Sequence, residues 1–213
     1  MLVRAGNTWL RMAHVALLAS VLTGCSQAAE GDDSEASARP SSTTATAKPS
    51  GPDDTAVSSG GTIGAAGSAC ELPVTFDTAK GWKAEAVKAE LSQGPVTLAC
   101  EIDAKPAGNI GFLRVWAGKP GDADARTVLK AFLAAEDGVS KEKYGTFTSG
   151  GLSGVKVEYL YASELLDETK KESAFAVATA DGPVVVHLGG LDTDEHEEML
   201  PAYELARRTL RTA

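Results

Sequence analysis

The sequence predicts an α+β domain built on a mostly antiparallel sheet, with a central helix and a C-terminal helix. Three stretches carry that prediction. Phe175 to Leu188 reads as two strands around Asp181-Gly182, a dipeptide that favours hairpin turns. Asp124 to Gly138 places apolar residues at helical spacing between a capping aspartate and a stopping glycine. Thr193 to Arg211 is helical in spacing, with acids at its start and arginines at its end, as the helix dipole favours.

The chain opens differently. Residues 1–24 have the layout of a secretory signal: Arg4 and Arg11 lead, Val15 to Leu22 is too short an apolar run to span a bilayer, and Thr23-Gly24 is small. Leu22-Thr23-Gly24-Cys25 resembles a bacterial lipobox. That resemblance implies cleavage before Cys25 and a lipid on it; an ordinary signal peptide or an uncleaved anchor are the alternatives. Residues 25–69 then follow, rich in Ser, Thr, Ala, Gly and Pro, with few large apolar side chains. Such a segment buries too little surface to offset its ordering entropy, so it is predicted to be a disordered tether. As a flexible coil it would hold the domain about 35–40 Å from its anchor.

Residues 70–213 form the single predicted domain. Leu72 to Phe76 alternates like an edge strand, with Pro73 near its start. Trp82 to Leu91 is ambiguous, its Ala, Glu and Lys favouring helix between two glycine-marked ends. Val96 to Ile102 and Ile110 to Trp116 read as strands, the second with Ile110, Phe112 and Trp116 on one face. In the central helix Ala125, Val128, Phe132 and Ala135 recur at helical spacing. Val155, Val157, Tyr159 and Tyr161 alternate along another strand, and the charged run Glu164 to Glu172 is predicted to be a solvated loop. In the hairpin Phe175, Val177, Val184, Val186 and Leu188 share one face; Ala174, Ala176, Ala178, Val185 and His187 share the other. That contrast predicts a sheet covered on both sides, with His187 opposite Ala176 beneath the C-terminal helix. In that helix Met199, Tyr203, Ala206 and Leu210 make the buried stripe, and Pro201 marks either a kink or the true first turn.

Net charge is −9. Residues 1–24 hold two arginines and no acid, so the mature chain has 18 basic against 29 acidic residues, a net −11. An acidic surface repels phosphate backbones, which argues against nucleic acid as a partner and leaves membrane binding to the lipid on Cys25. Cys70 and Cys100 remain as a pair in an exported setting. A disulfide is favoured over two free thiols or half a metal site, because no Cys-x-x-Cys spacing is present.

No catalytic residue or cofactor is predicted. His187 and His196 lie near Asp192 and Asp194 across Gly189-Gly190, which leaves a metal-dependent hydrolase as an alternative, although acids at a helix start are explained by the dipole alone. Ser153 follows Gly151-Leu152 but precedes a strand and fails the nucleophile-elbow pattern. Trp82, Trp116, Tyr159 and Tyr161 are the candidate pocket aromatics, though alternating aromatics are also ordinary core residues.

The Phe76…Gly81-Trp82 entry, the central helix, the long meander and the C-terminal helix together resemble actinobacterial lipoproteins with a PsbP/Mog1-like fold, over about Cys70 to Ala213. The resemblance implies an α/β/α sandwich serving as a binding or assembly module. It assigns no residue a role. The expected function is a membrane-anchored extracytoplasmic module that binds an envelope protein or a small amphiphile; a passive structural lipoprotein is the further alternative.

Overall fold

The computed structural model describes residues 57–163 and 168–213. In chain order the strands are β1 (Ser59–Ile63), β2 (Val74–Ala79), β3 (Lys83–Ala86), β4 (Ser92–Gln93), β5 (Val96–Asp103) and β6 (Phe112–Ala117). Helix α1 (Ala125–Ala134) follows, then β7 (Val139–Ser149), β8 (Leu152–Ser163), β9 (Glu168–Thr179), β10 (Gly182–Gly189), α2 (Thr193–Thr209) and β11 (Arg211–Thr212). The eight-stranded sheet runs β3-β5-β6-β10-β9-β8-β7, with β4 pairing beside β3 on β5. A small sheet runs β1-β2-β11. Every strand pairing is antiparallel.

The large sheet is covered on both faces, as the hairpin pattern predicts. On one face Cys100, Ile102, Leu113, Val115, Phe175, Val177, Val184, Val186 and Leu188 pack against Val74 and Phe76 of β2, against Met199, Tyr203 and Ala206 of α2, and against Leu210 just after it. On the other, Trp116, Val155, Val157, Tyr159, Ala174, Ala176 and Val185 pack under Val128, Leu129, Phe132 and Leu133 of α1. The alanines let α1 come close. The C-terminal helix therefore lies on the large-residue face, and His187 sits beneath α1 instead, with the Phe132 ring 5.9 Å away.

Other sequence expectations are revised. The α+β class holds, but sheet dominates, and β2 with its neighbours shares a layer with α2, so the molecule is not a balanced α/β/α sandwich. Ordered structure begins before Cys70, because β1 pairs with β2 inside the stretch assigned to the tether. That pairing, with β11 on the other side, makes β2 a central strand and not an edge. Residues 83–86 are strand, since β5 offers a ladder that outweighs their helix propensity. The hairpin turn is Ala180-Asp181, one residue earlier than predicted, and His187 faces Ala174 instead of Ala176. This moves the pairing register by two residues, which leaves every side chain on its predicted face. Strand β9 starts at Glu168, within the predicted solvated loop. Pro201 lies inside a continuous α2, so it does not mark the first turn.

Cys70 and Cys100 form a disulfide with Cα atoms 5.9 Å apart. Both are buried. The bridge joins the segment before β2 to β5, locking the small sheet onto the large one. Replacing both cysteines by alanine is expected to lower stability by about 3–4 kcal/mol, read from urea unfolding, while thiol titration of the unfolded, non-reduced wild type finds neither cysteine free.

Candidate ligand-binding site

Among the described residues, Glu172 is the carboxylate that the sheet takes inside. In β9 the period of two sets it on the same face as Ala174 and Ala176, and it is 3% exposed. Three strands supply its partners. The Tyr159 hydroxyl of β8 donates to Oε2 at 2.9 Å, and His187 Nε2 of β10 lies 2.9 Å from the same oxygen. Lys170 Nζ, two residues back on β9, lies 2.9 Å from Oε1. Lys170 also donates to the Gly190 carbonyl at 2.5 Å and stands 5.5 Å from the Tyr161 ring centroid.

Burial pushes the Glu172 carboxyl up, but the charges of His187 and Lys170 and their hydrogen bonds outweigh it, holding the group at about 2. Glu172 is thus a carboxylate, and the His187 nitrogen beside it carries a hydrogen. Tyr159 is pushed well above the ordinary phenol value, first by burial and then by the Glu172 charge, so it remains a donor. His187 Nδ1 lies on the ring edge beside Gly189, where a Cβ would stand 3.9 Å from it. Glycine there leaves that edge uncovered.

Above this cluster lies a cavity of about 350 Å³, just past the C-terminal end of α1. His187 and Glu172 form its floor, Tyr161 and Phe112 stand in its wall, and Ile110 and Leu191 make its rim. The rim residues are 56% and 51% exposed. Their backbones are held by one carboxylate: Glu195 accepts from the amides of Ile110 and Leu191, and from Gly111 at 3.2 Å. Glu195 is itself placed by the α2 cap, where Asp192 Oδ1 accepts from its amide at 2.8 Å. Two further charges reach the cavity. Arg114 pairs through Nε with Glu101 at 2.8 Å. Glu136, following α1, is raised above the usual carboxylate value by burial, with Gln93 Nε2 3.4 Å from its Oε2.

The four candidate aromatics do not converge. Trp116 is buried edge-on to Phe132 at 5.4 Å, and Tyr159 lies beneath the cavity as part of the Glu172 cluster. Trp82 packs half-buried against the core on the opposite face. Only Tyr161 reaches the cavity wall. His187 and His196 are also separated by the sheet. His196 extends from α2 to Ser173 Oγ at 3.0 Å, on the α2 face, so the bend at Gly189-Gly190 does not bring the imidazoles together. His187, expected beneath the C-terminal helix, instead lines an open cavity. Among the described residues, no group of three His, Cys, Asp or Glu is arranged to hold a metal ion.

Sequence reasoning passed over Lys170, Glu172 and Glu195, although signals for them exist. Extending the Ala178, Ala176, Ala174 alternation backwards reaches Glu172 and Lys170 on the covered face. Asp192-Thr193-Asp194-Glu195 has capping-box spacing.

The chain belongs to a lipoprotein family. The matching family model is described as an uncharacterised lipoprotein and covers residues 40–210. No curated protein matches the chain. Among solved structures it is similar to the solution structure of cyanobacterial PsbP (CyanoP) from Synechocystis sp. PCC 6803, with a TM-score of 0.48 and 12% identity over 66% of this chain and 87% of that one. Cys25, the signal stretch 1–24 and the first part of the tether lie outside the described residues. Among the described residues, no helix is long and apolar enough to cross a membrane.

The folded Glu172 value lies below the ordinary 4.5, so its contribution to stability is complete above about 4.5 and is lost as pH falls toward about 2. Glu172→Gln, which leaves Lys170 and His187 without their counter-charge, is expected to lower stability at pH 7 by roughly 3–5 kcal/mol. In urea unfolding at several pH values, the variant should also lose less further stability than wild type across that acid window.

Proposed function

We propose that this lipoprotein is held by Cys25 on the extracytoplasmic face of the membrane, where its domain binds a small amphiphile without chemical turnover. The observation that carries this reading is the cavity itself, with a fixed polar floor and two exposed apolar side chains at its mouth. An envelope protein as partner is less well matched to a concave site of this size. The element order also supports placing the domain with PsbP/Mog1-like folds.

Binding is favoured over catalysis by how the floor is used. Both Glu172 oxygens already receive donors from Tyr159, His187 and Lys170, so this carboxylate is committed to holding the site together. The separation of His187 from His196 removes the pairing that a metal-dependent hydrolase would use.

Two variants test the two halves of the reading. Cys25→Ser is expected to release the protein from membranes or leave an uncleaved precursor, as fractionation would show, since a two-acyl anchor holds far more tightly than one chain. Ile110→Asp with Leu191→Asp, both at exposed positions, should leave the fold intact and deplete small amphiphiles that co-purify with the native anchored protein, measured by mass spectrometry. Equal recovery from wild type and variant would contradict the cavity as the binding site.

A further inference from the structure

The charges around the cavity are mostly used internally, and that limits what can enter. Lys170 is taken by Glu172 and the Gly190 carbonyl, and Arg114 by Glu101. Glu136 adds a further carboxylate to the lining. No cation is left over for an anionic head, and a cationic head would have to enter beside Lys170 and Arg114.

Hydrogen-bonding capacity is a different matter. The Arg114 bond to Glu101 uses Nε, and its terminal Nη groups remain beyond that pair. On Glu136, Gln93 reaches only Oε2, at 3.4 Å, and the residue lines the cavity. His187 uses Nε2 for Glu172 and Tyr159, with Nδ1 on the ring edge that Gly189 leaves uncovered. Donors and acceptors thus stand around one small space. Hydroxyl groups, which both donate and accept, satisfy such a mixture, whereas a carboxylate head only accepts and a quaternary ammonium does neither. The exposed Ile110 and Leu191 side chains, fixed by Glu195, then meet whatever apolar part leaves the mouth.

We infer that the cavity takes an amphiphile with a neutral, hydroxyl-rich head of about one sugar ring, the head on Glu136, Arg114 and His187 and the apolar chain between Ile110 and Leu191. This rests on the binding reading above. A volume of about 350 Å³ suits a head of that size with the start of a chain.

The test is calorimetric titration of the mature chain, with Cys25→Ser to remove the anchor, against three probes sharing an eight-carbon tail: n-octyl β-D-glucopyranoside, octanoate and n-octyltrimethylammonium, each below its micellar concentration. The glucoside is expected to bind at least about tenfold more tightly than either charged probe, and Glu136→Ala to weaken it about tenfold, the loss of one hydrogen bond to a charged group. Circular dichroism and the urea midpoint check that the variant is folded. A charged probe binding as tightly as the glucoside, or Glu136→Ala leaving glucoside affinity unchanged, overturns the assignment of the head while leaving the cavity a binding site. Binding of none of the three overturns both this inference and the proposed function.

Discussion

An ionised carboxylate inside a protein needs opposite charge and hydrogen-bond donors on every open side, and Glu172 draws them from three neighbouring strands. Tyr159 comes from β8, Lys170 from β9 itself and His187 from β10. Their meeting depends on register. A slip of one residue between any two of these strands would turn one partner to the opposite face and leave a buried charge uncompensated. The same pairing sets Phe175, Val177, Val184 and Val186 toward α2. The polar cluster and the apolar core are two consequences of one alignment.

Unequal covering of the two faces turns that cluster into a site. The α2 face is closed by a 17-residue helix and by β2. On the other face α1 has 10 residues and ends at Ala134, and the cavity begins beyond that end. What bounds the cavity is backbone held by side chains. Gly111 fits so closely that a Cβ would stand 2.3 Å from the Met199 methyl carbon, and Glu195 ties this loop to Leu191. The α2 cap thus starts a helix and also sets the shape of the mouth.

Elements with strong periodicity were legible in the sequence. Helix α1 begins at the predicted Asp124 cap, whose carboxylate accepts from the Thr127 amide at 2.9 Å, and the two faces of the β9–β10 hairpin are as the alternation indicates. What the alternation hides is a bulge. Val96, Leu98, Cys100 and Ile102 would share a face in a regular strand, yet the register shift between Leu98 and Cys100 sends Leu98 toward α1 and Cys100 toward Cys70. The long strand β7 was missed because its exposed residues alternate weakly. Glu172 was misread because composition makes a charged run look solvated, and only the partners from other strands show why this one carboxylate goes inside. Two of the aromatic candidates, Trp116 and Tyr159, lie inside for the reverse reason: they are large enough to be needed in the core.

The most direct test of this account is the ionisation of Glu172 in the folded protein, followed by carboxyl carbon NMR on a glutamate-labelled sample and assigned with Glu172→Gln. The account requires the Glu172 signal to titrate at about 2, with His187 Nε2 carrying the hydrogen of the bond to Glu172. Titration at or above the ordinary carboxylate value of 4.5 would mean that Lys170 and His187 do not compensate its burial, and would contradict the fixed polar floor on which the cavity depends.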